Sequence, residues 1–135
     1  MHPSIEKLLD VQKLDREIRL LEEAMVRRPM ELRDEKRKVA AGKEVVGGVE
    51  TEITTCRLDI DKGELLIKGL EEEIQKSNIG MNAAKSNIEY SIFQEQIAKN
   101  EETKGNTEEE VLELLTQLDN LQGRKEEVER DLADL

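Results

Sequence analysis

The chain has 135 residues, of which 39% are charged and 36% hydrophobic, and its formal net charge is −11. With one Tyr, one Phe and no Trp it lacks the aromatic bulk that usually fills a globular core, whereas this composition with helical periodicity is typical of a coiled coil. No apolar run approaches the ~20 residues that span a bilayer, and the start lacks the basic-then-apolar order of a signal peptide, so we expect a cytoplasmic protein.

The first predicted element is a long helix over residues 5–81, with Ser4 as its N-cap. Every seventh residue is apolar, which requires a seam that keeps its phase. The phase continues through Pro29, where we predict a kink, and a second bend is predicted near Gly47 because glycine destabilises a helix interior. This first seam consists of Val11, Ile18, Met25, Leu32, Val39, Val46, Ile53, Ile60, Ile67, Ile74 and Met81.

A companion seam on the same helix is weaker, because several of its members are small or polar and leave space, so the helix is not expected to form a rigid two-stranded zipper along its length. It consists of Leu14, Leu21, Arg28, Glu35, Gly42, Val49, Cys56, Gly63, Leu70 and Ser77. Cys56 is the single cysteine, so it forms neither an intrachain disulfide nor a cysteine zinc site alone. The single histidine, His2, is equally isolated, and Cys56 is interpreted as a small core residue and not as a nucleophile.

The heptad pattern breaks between Ser77 and Phe93, and we predict the tip of a helical hairpin at residues 82–87. A second helix is predicted over residues 88–134, and its polar section from Lys99 to Thr107 is expected to fray or bend. The spacing of its seam alternates between four and three residues, as in a coiled coil. This second seam consists of Phe93, Ile97, Asn100, Lys104, Thr107, Val111, Leu114, Leu118, Leu121, Lys125, Val128, Leu132 and Leu135.

Two long helices with a short break predict an all-α fold, a long antiparallel coiled-coil hairpin over residues 1–135. A turn near residue 85 pairs residues whose numbers sum to about 170, and it places the cations of residues 33–43 beside the anions of residues 126–134. Exposed ion pairs of this kind are expected to set register more than stability.

The returning helix is too short to cover residues 5–34. Either this segment packs on another chain, which includes a homodimer, or the second helix continues in a longer protein. The mid-heptad ending DLADL favours a fragment. Apolar residues of the uncovered segment are candidate protein-binding residues, chiefly Leu14, Ile18, Leu21 and Met25, with Leu8 and Val11 beside them. Packing against a missing part of the second helix is the competing explanation for them.

Three stretches resemble a known family. The opening has Leu8, Gln12, Leu14, Asp15, Ile18 and Leu21 in a Leu-Gln-x-Leu-Asp-x-x-Ile-like pattern, followed by Pro29, Glu31 and Leu32. The tip has Asn87, Glu89 and Tyr90, and an acidic stretch follows at residues 108–115. In these features the chain resembles the helical part of a bacterial family that joins a coiled-coil hairpin to a four-cysteine zinc ribbon. It departs from the family pattern at Ile88, Ile92 and Phe93.

The resemblance implies a non-enzymatic adaptor or chaperone-like protein in flagellar biogenesis, type III secretion or alternative sigma factor regulation. Its implied partners are a sigma factor or a secretion component and, in one branch of the family, messenger RNA. Zinc is implied only for the ribbon, and no Cys-x-x-Cys pair occurs in this chain, so no cofactor or metal is expected here.

Two further features leave alternatives open. The tip residues Asn87, Glu89 and Tyr90 either form a recognition tip, or Asn87 caps the second helix while the other two stabilise the turn. The basic stripe from Arg27 to Lys43 is a candidate RNA contact, carried by Arg33, Lys36, Arg37 and Lys38, although it has no RNA-binding motif. No carboxylates combine with a base or nucleophile in a predicted concave site, so no enzymatic activity is expected.

Overall fold

The computed structural model describes residues 2–135 and contains two helices, α1 over Pro3–Asn82 and α2 over Asn87–Ala133. The all-α hairpin predicted from the heptads is confirmed. The helix bounds lie within two residues of the predicted ones. Ser4 is not the N-cap of α1, because His2 takes that position and its Nδ1 accepts a hydrogen bond from the Ser4 N–H at 3.3 Å. At 1.5 Å per residue, α1 is about 120 Å long.

Contacts between the helices run antiparallel. Gly63 of α1 lies against Val111 of α2, whereas Gly42, earlier in α1, lies against Leu132, later in α2. In both pairs the residue numbers sum to 174, four more than the predicted value. Nearer the turn, Gly80 lies against Phe93 in nearly the same register. The register therefore holds along the paired length.

The seams predicted from the heptads form the interface. From Val39 to Met81, all members of the first and companion seams are buried or half-buried. In α2 the same is true of every predicted seam member from Phe93 to Leu132, while Leu135 is exposed. The buried cluster at the middle is formed by Cys56, Ile60 and Val111. Burial of these side chains stabilises the pairing of two helices that would each be marginal alone.

The companion seam packs more tightly than predicted. Its members Val49 and Cys56 are among the most buried residues of the protein, and Ser77 is buried as well. Glycine in this seam leaves space that a larger residue of α2 fills, as at Gly63 and Gly42. The prediction that small residues leave space considered only the side chains of α1, and whether the paired helices form a rigid zipper stays a prediction.

Both helices are continuous at the positions where the sequence predicted bends or fraying. α1 runs through Pro29 and Gly47 without a change of secondary structure, and the kinks expected there stay predictions. α2 runs unbroken from Lys99 to Thr107, so fraying there was a wrong prediction. Thr103 and Thr107 both donate hydroxyl hydrogen bonds to the carbonyl four residues earlier, which satisfies these polar groups within the helix.

The predicted ion pairing between residues 33–43 and 126–134 was wrong. Among residues 2–135, no salt bridge joins these segments. The observed register explains the result for Arg33 and Lys38, because their partners would need numbers above 135. Lys43 lies level with Asp131 but forms no salt bridge with it. The interhelical ion pairs form further along, where Glu71 contacts Lys104 and Glu50 contacts Lys125, both at 3.4 Å.

Within the described part of the chain, neither helix has a stretch long and apolar enough to cross a membrane.

Candidate protein-binding face of the unpaired arm

The amino-terminal part of α1, Pro3–Lys38, extends beyond α2, and we call it the arm. All four predicted protein-binding residues, Leu14, Ile18, Leu21 and Met25, are exposed there, and Met25 is the most exposed at 73%. Leu8, Val11 and Leu32 are exposed as well. The structure thus places the candidate residues together along one helix, with no other part of residues 2–135 covering them.

The arm repeats the interface pattern of the paired region. Leu14 and Ile18 hold the same heptad positions as Val49 and Ile53, five heptads later in α1. Their surroundings differ, because Ile18 is 52% exposed whereas Ile53 is 6% exposed. Since helix and phase are continuous between them, the arm presents one half of a coiled-coil interface.

A second apolar patch lies on another face of the arm. It is formed by Val26 and Met30, which are both exposed. Acidic side chains surround them, including Glu22, Glu23 and Asp34. This patch is short, so the long stripe of seam residues is the stronger candidate for helix docking.

The tip residues have separate roles. Ser86, not Asn87, is the N-cap of α2, and its hydroxyl accepts a hydrogen bond from the Glu89 N–H at 3.2 Å. The Glu89 carboxylate accepts in turn from the Lys85 N–H at 3.3 Å. The interpretation of Asn87 as the cap was therefore wrong. Tyr90 is exposed, and Asn87, Glu89 and Tyr90 all lie in the first turn of α2, so their role as a recognition tip stays a prediction.

The capping residue could have been found in the sequence. The sequence from Ser86 to Glu89 matches the Ser-x-x-Glu capping box. In this motif the serine hydroxyl accepts a hydrogen bond from the backbone N–H of the glutamate, and the glutamate carboxylate accepts one from a backbone N–H at the start of the helix. The tip nevertheless exposes apolar surface through Ile88 and Ile92, two of the three positions at which the chain departs from the pattern of the family that it resembles.

The cations of the basic stripe are solvent-exposed. Arg33, Lys36, Arg37 and Lys38 lie at the end of the arm, next to the terminus of α2. None of these four is in a salt bridge within residues 2–135. Lys36 lines a small cavity with Leu32, Val39 and Leu135. The stripe is therefore available to an anionic partner, and α2 does not neutralise it.

Cys56 is buried, and its Sγ donates to the Leu114 carbonyl oxygen at 3.2 Å. This position agrees with its interpretation as a small core residue. Over residues 2–135, no group of three or more His, Cys, Asp or Glu side chains is arranged to hold a metal ion.

Comparison with protein-family models, curated proteins and solved structures finds no match to this chain. The resemblance to the zinc-ribbon family therefore remains an expectation based on the residues quoted above.

Proposed function

We propose that the protein is a non-enzymatic coiled-coil adaptor or chaperone-like protein that binds a helix of a protein partner along the arm. One observation carries the proposal. The seam that α2 covers from Val39 onward continues in phase through the arm, where its residues are exposed. Contiguous apolar surface of this kind marks interaction sites.

The energetic reason is the burial of the seam. Fully burying one Leu, Ile or Met side chain contributes roughly 1.5–3 kcal/mol. Burial of Leu14, Ile18, Leu21 and Met25 together therefore offers a gain of the same order as the cost of association. The mode is helix recognition through anchors at a spacing of three and four residues.

By resemblance, the partner is a sigma factor or a secretion component, and the setting is flagellar biogenesis or type III secretion in the bacterial cytoplasm. These finer assignments depend on the quoted family-like residues alone. The proposed adaptor function depends on the exposed seam and does not depend on the family-like residues.

The experiment measures binding of the purified enhancer-dependent alternative sigma factor, the partner that the resemblance implies. Leu14→Asp with Ile18→Asp should abolish binding, because two carboxylates would then interrupt the apolar seam. The matched control is Lys13→Asp with Arg19→Asp, which places the same new side chains on the opposite side of the arm. Unchanged affinity in the seam variant would refute docking on this face.

RNA binding through the basic stripe is a second candidate. It is favoured by Arg33, Lys36, Arg37 and Lys38, which are exposed and lack acidic partners among the described residues. Replacing all four with Gln should remove binding to single-stranded RNA, and affinity of the unmodified chain should fall steeply with salt. A flat salt response would rule this candidate out.

A further inference from the structure

The arm seam is bordered by negative charge. We define flank positions as the residue directly after each companion-seam residue and the residue directly before each first-seam residue. From residue 10 to residue 31 the flank positions contain no cation, and the two uncharged ones are Ala24 and Pro29. The others are Asp10, Asp15, Glu17, Glu22 and Glu31, all exposed.

The paired region shows what a flank carboxylate does when a second helix is present. Glu50 and Glu71 each directly follow a companion-seam residue. Each reaches across the interface at 3.4 Å to a lysine that occupies a seam position of α2. Asp15 and Glu22 hold the same heptad position as Glu50, five and four heptads earlier. A helix docked on the arm would therefore place side chains of its own interface near Asp15 and Glu22.

The flank carboxylates of the arm have no such partners within α1. None of the five is in a salt bridge within the described chain. The nearby cations Lys13, Arg16, Arg19 and Arg27 occupy heptad positions on the side of α1 that faces away from the seam. Arg28 is the one cation at a seam position of the arm, and it forms no salt bridge within the described chain. The negative charge on both borders of the seam is thus left for the docking helix to neutralise.

In the register that overlaps two arms almost completely, the same charges disfavour a second copy of this chain as the occupant. An antiparallel pair of arms that packs Ile18 against Leu21 of the other copy would bring Asp15 close to the other copy's Glu22. Every charged flank position from residue 10 to residue 31 would then meet carboxylates or neutral residues. Like charges across a coiled-coil interface act against that pairing.

We propose that the arm selects an amphipathic helix of another protein whose apolar stripe is bordered by Lys or Arg. This inference rests on the proposed adaptor function and adds the chemistry of the partner. The apolar seam supplies the affinity of docking, and the flank carboxylates supply the choice between a basic and an acidic helix.

The test uses two synthetic peptides of about four heptads with Ile and Leu at the seam positions. One peptide has Lys at all flank positions, and the other has Glu. Because each peptide has flank charges of one sign, repulsion limits its pairing with itself. Binding to the full chain is measured by calorimetry at low and high salt. The basic peptide should bind at least about tenfold more tightly at low salt, and the difference should shrink as salt screens the flank pairs.

Two variants of the full chain locate the effect. Asp15→Lys with Glu17→Lys and Glu22→Lys should reverse the preference of the arm. The matched control, Glu6→Lys with Glu23→Lys and Asp34→Lys, changes the net charge equally but away from the flank positions, and it should keep the preference for the basic peptide. Circular dichroism checks that both variants stay helical.

The outcomes separate this inference from the proposed function. Equal affinity for the two peptides, or preference for the acidic one, would overturn charge selection and leave helix docking in place. If neither peptide binds, both the adaptor function and this inference fail. A stable dimer of the chain that excludes the peptides would show that a second copy is the occupant, and it would also overturn the inference.

Discussion

Gly63 of α1 faces Val111 of α2 so closely that a Cβ on the glycine would lie 2.5 Å from the Val111 Cγ2. The same relationship recurs between Gly42 and Leu132, where the distance to Leu132 Cδ1 is 2.8 Å. A shift of α2 by one heptad would place Val111 against Cys56 or Leu70 in place of Gly63. The repeating seams alone would allow several registers that differ by whole heptads. The fit of large α2 side chains against glycines of α1 selects one of them.

Alanine at Gly63 should destabilise the hairpin relative to alanine at Gly69. Both changes improve helix propensity by up to ~1 kcal/mol, but only Gly63 faces Val111, and overpacking costs about 1–3 kcal/mol. We expect Gly69→Ala, whose new methyl group meets open space, to raise the free energy of unfolding. The free energy of unfolding of Gly63→Ala, measured by urea titration, should be about 1–3 kcal/mol lower than that of Gly69→Ala.

A double-mutant cycle provides the control for this comparison. Adding Val111→Ala to Gly63→Ala should recover part of the loss, because the smaller side chain makes room for the new methyl group. Equal stability of the Gly63 and Gly69 variants would contradict the register argument.

The substitution Lys125→Leu should stabilise the hairpin. Lys125 occupies a seam position with 34% of its side chain exposed, and it contacts Glu50 at 3.4 Å. An exposed pair of this kind contributes about 0.2–1 kcal/mol, whereas burying a leucine contributes roughly 1.5–3 kcal/mol when complete. The balance predicts a gain of about 1 kcal/mol in chemical unfolding. Lys99→Leu, on the exposed side of α2, is the control and should change the free energy of unfolding little. If Lys125→Leu instead lowered the stability, the ion pair would contribute more than the burial of leucine.

The hairpin and nearly all of its seams were predictable because heptad spacing is a direct consequence of helix geometry. The exact register was not, because the turn near residue 85 was located only to within about one helical turn. The numbers of Gly63 and Val111 sum to 174, whereas the predicted sum was about 170. Tight packing at Gly63 also escaped prediction, since a glycine does not reveal which residue of the other helix will fill its space. The cap at Ser86 was predictable and was missed in favour of the adjacent Asn87.

The cap at the hairpin tip should contribute measurably to stability. Ser86→Ala removes the acceptor of the Glu89 N–H hydrogen bond and should lower the free energy of unfolding by about 1 kcal/mol. Asn87→Ala should change it little, since Asn87 does not cap α2. Thermal unfolding and amide exchange at Glu89 measure both effects. If Asn87→Ala proved the more damaging change, the assigned cap would be wrong.

Aspartates in the arm seam should leave the fold intact, whereas the same substitutions five heptads later should disrupt it. Leu14 is 57% exposed and Ile18 52% exposed, so their replacement removes no burial against a second helix. Val49 and Ile53 hold the equivalent positions at 2% and 6% exposure, and Val49→Asp with Ile53→Asp buries two carboxylates without partners. We expect the free energy of unfolding of the arm variant to lie within about 0.5 kcal/mol of that of the unmodified chain. The free energy of unfolding of the paired-region variant should be lower by several kcal/mol. Equally large losses in both would show that the arm seam is already covered in solution.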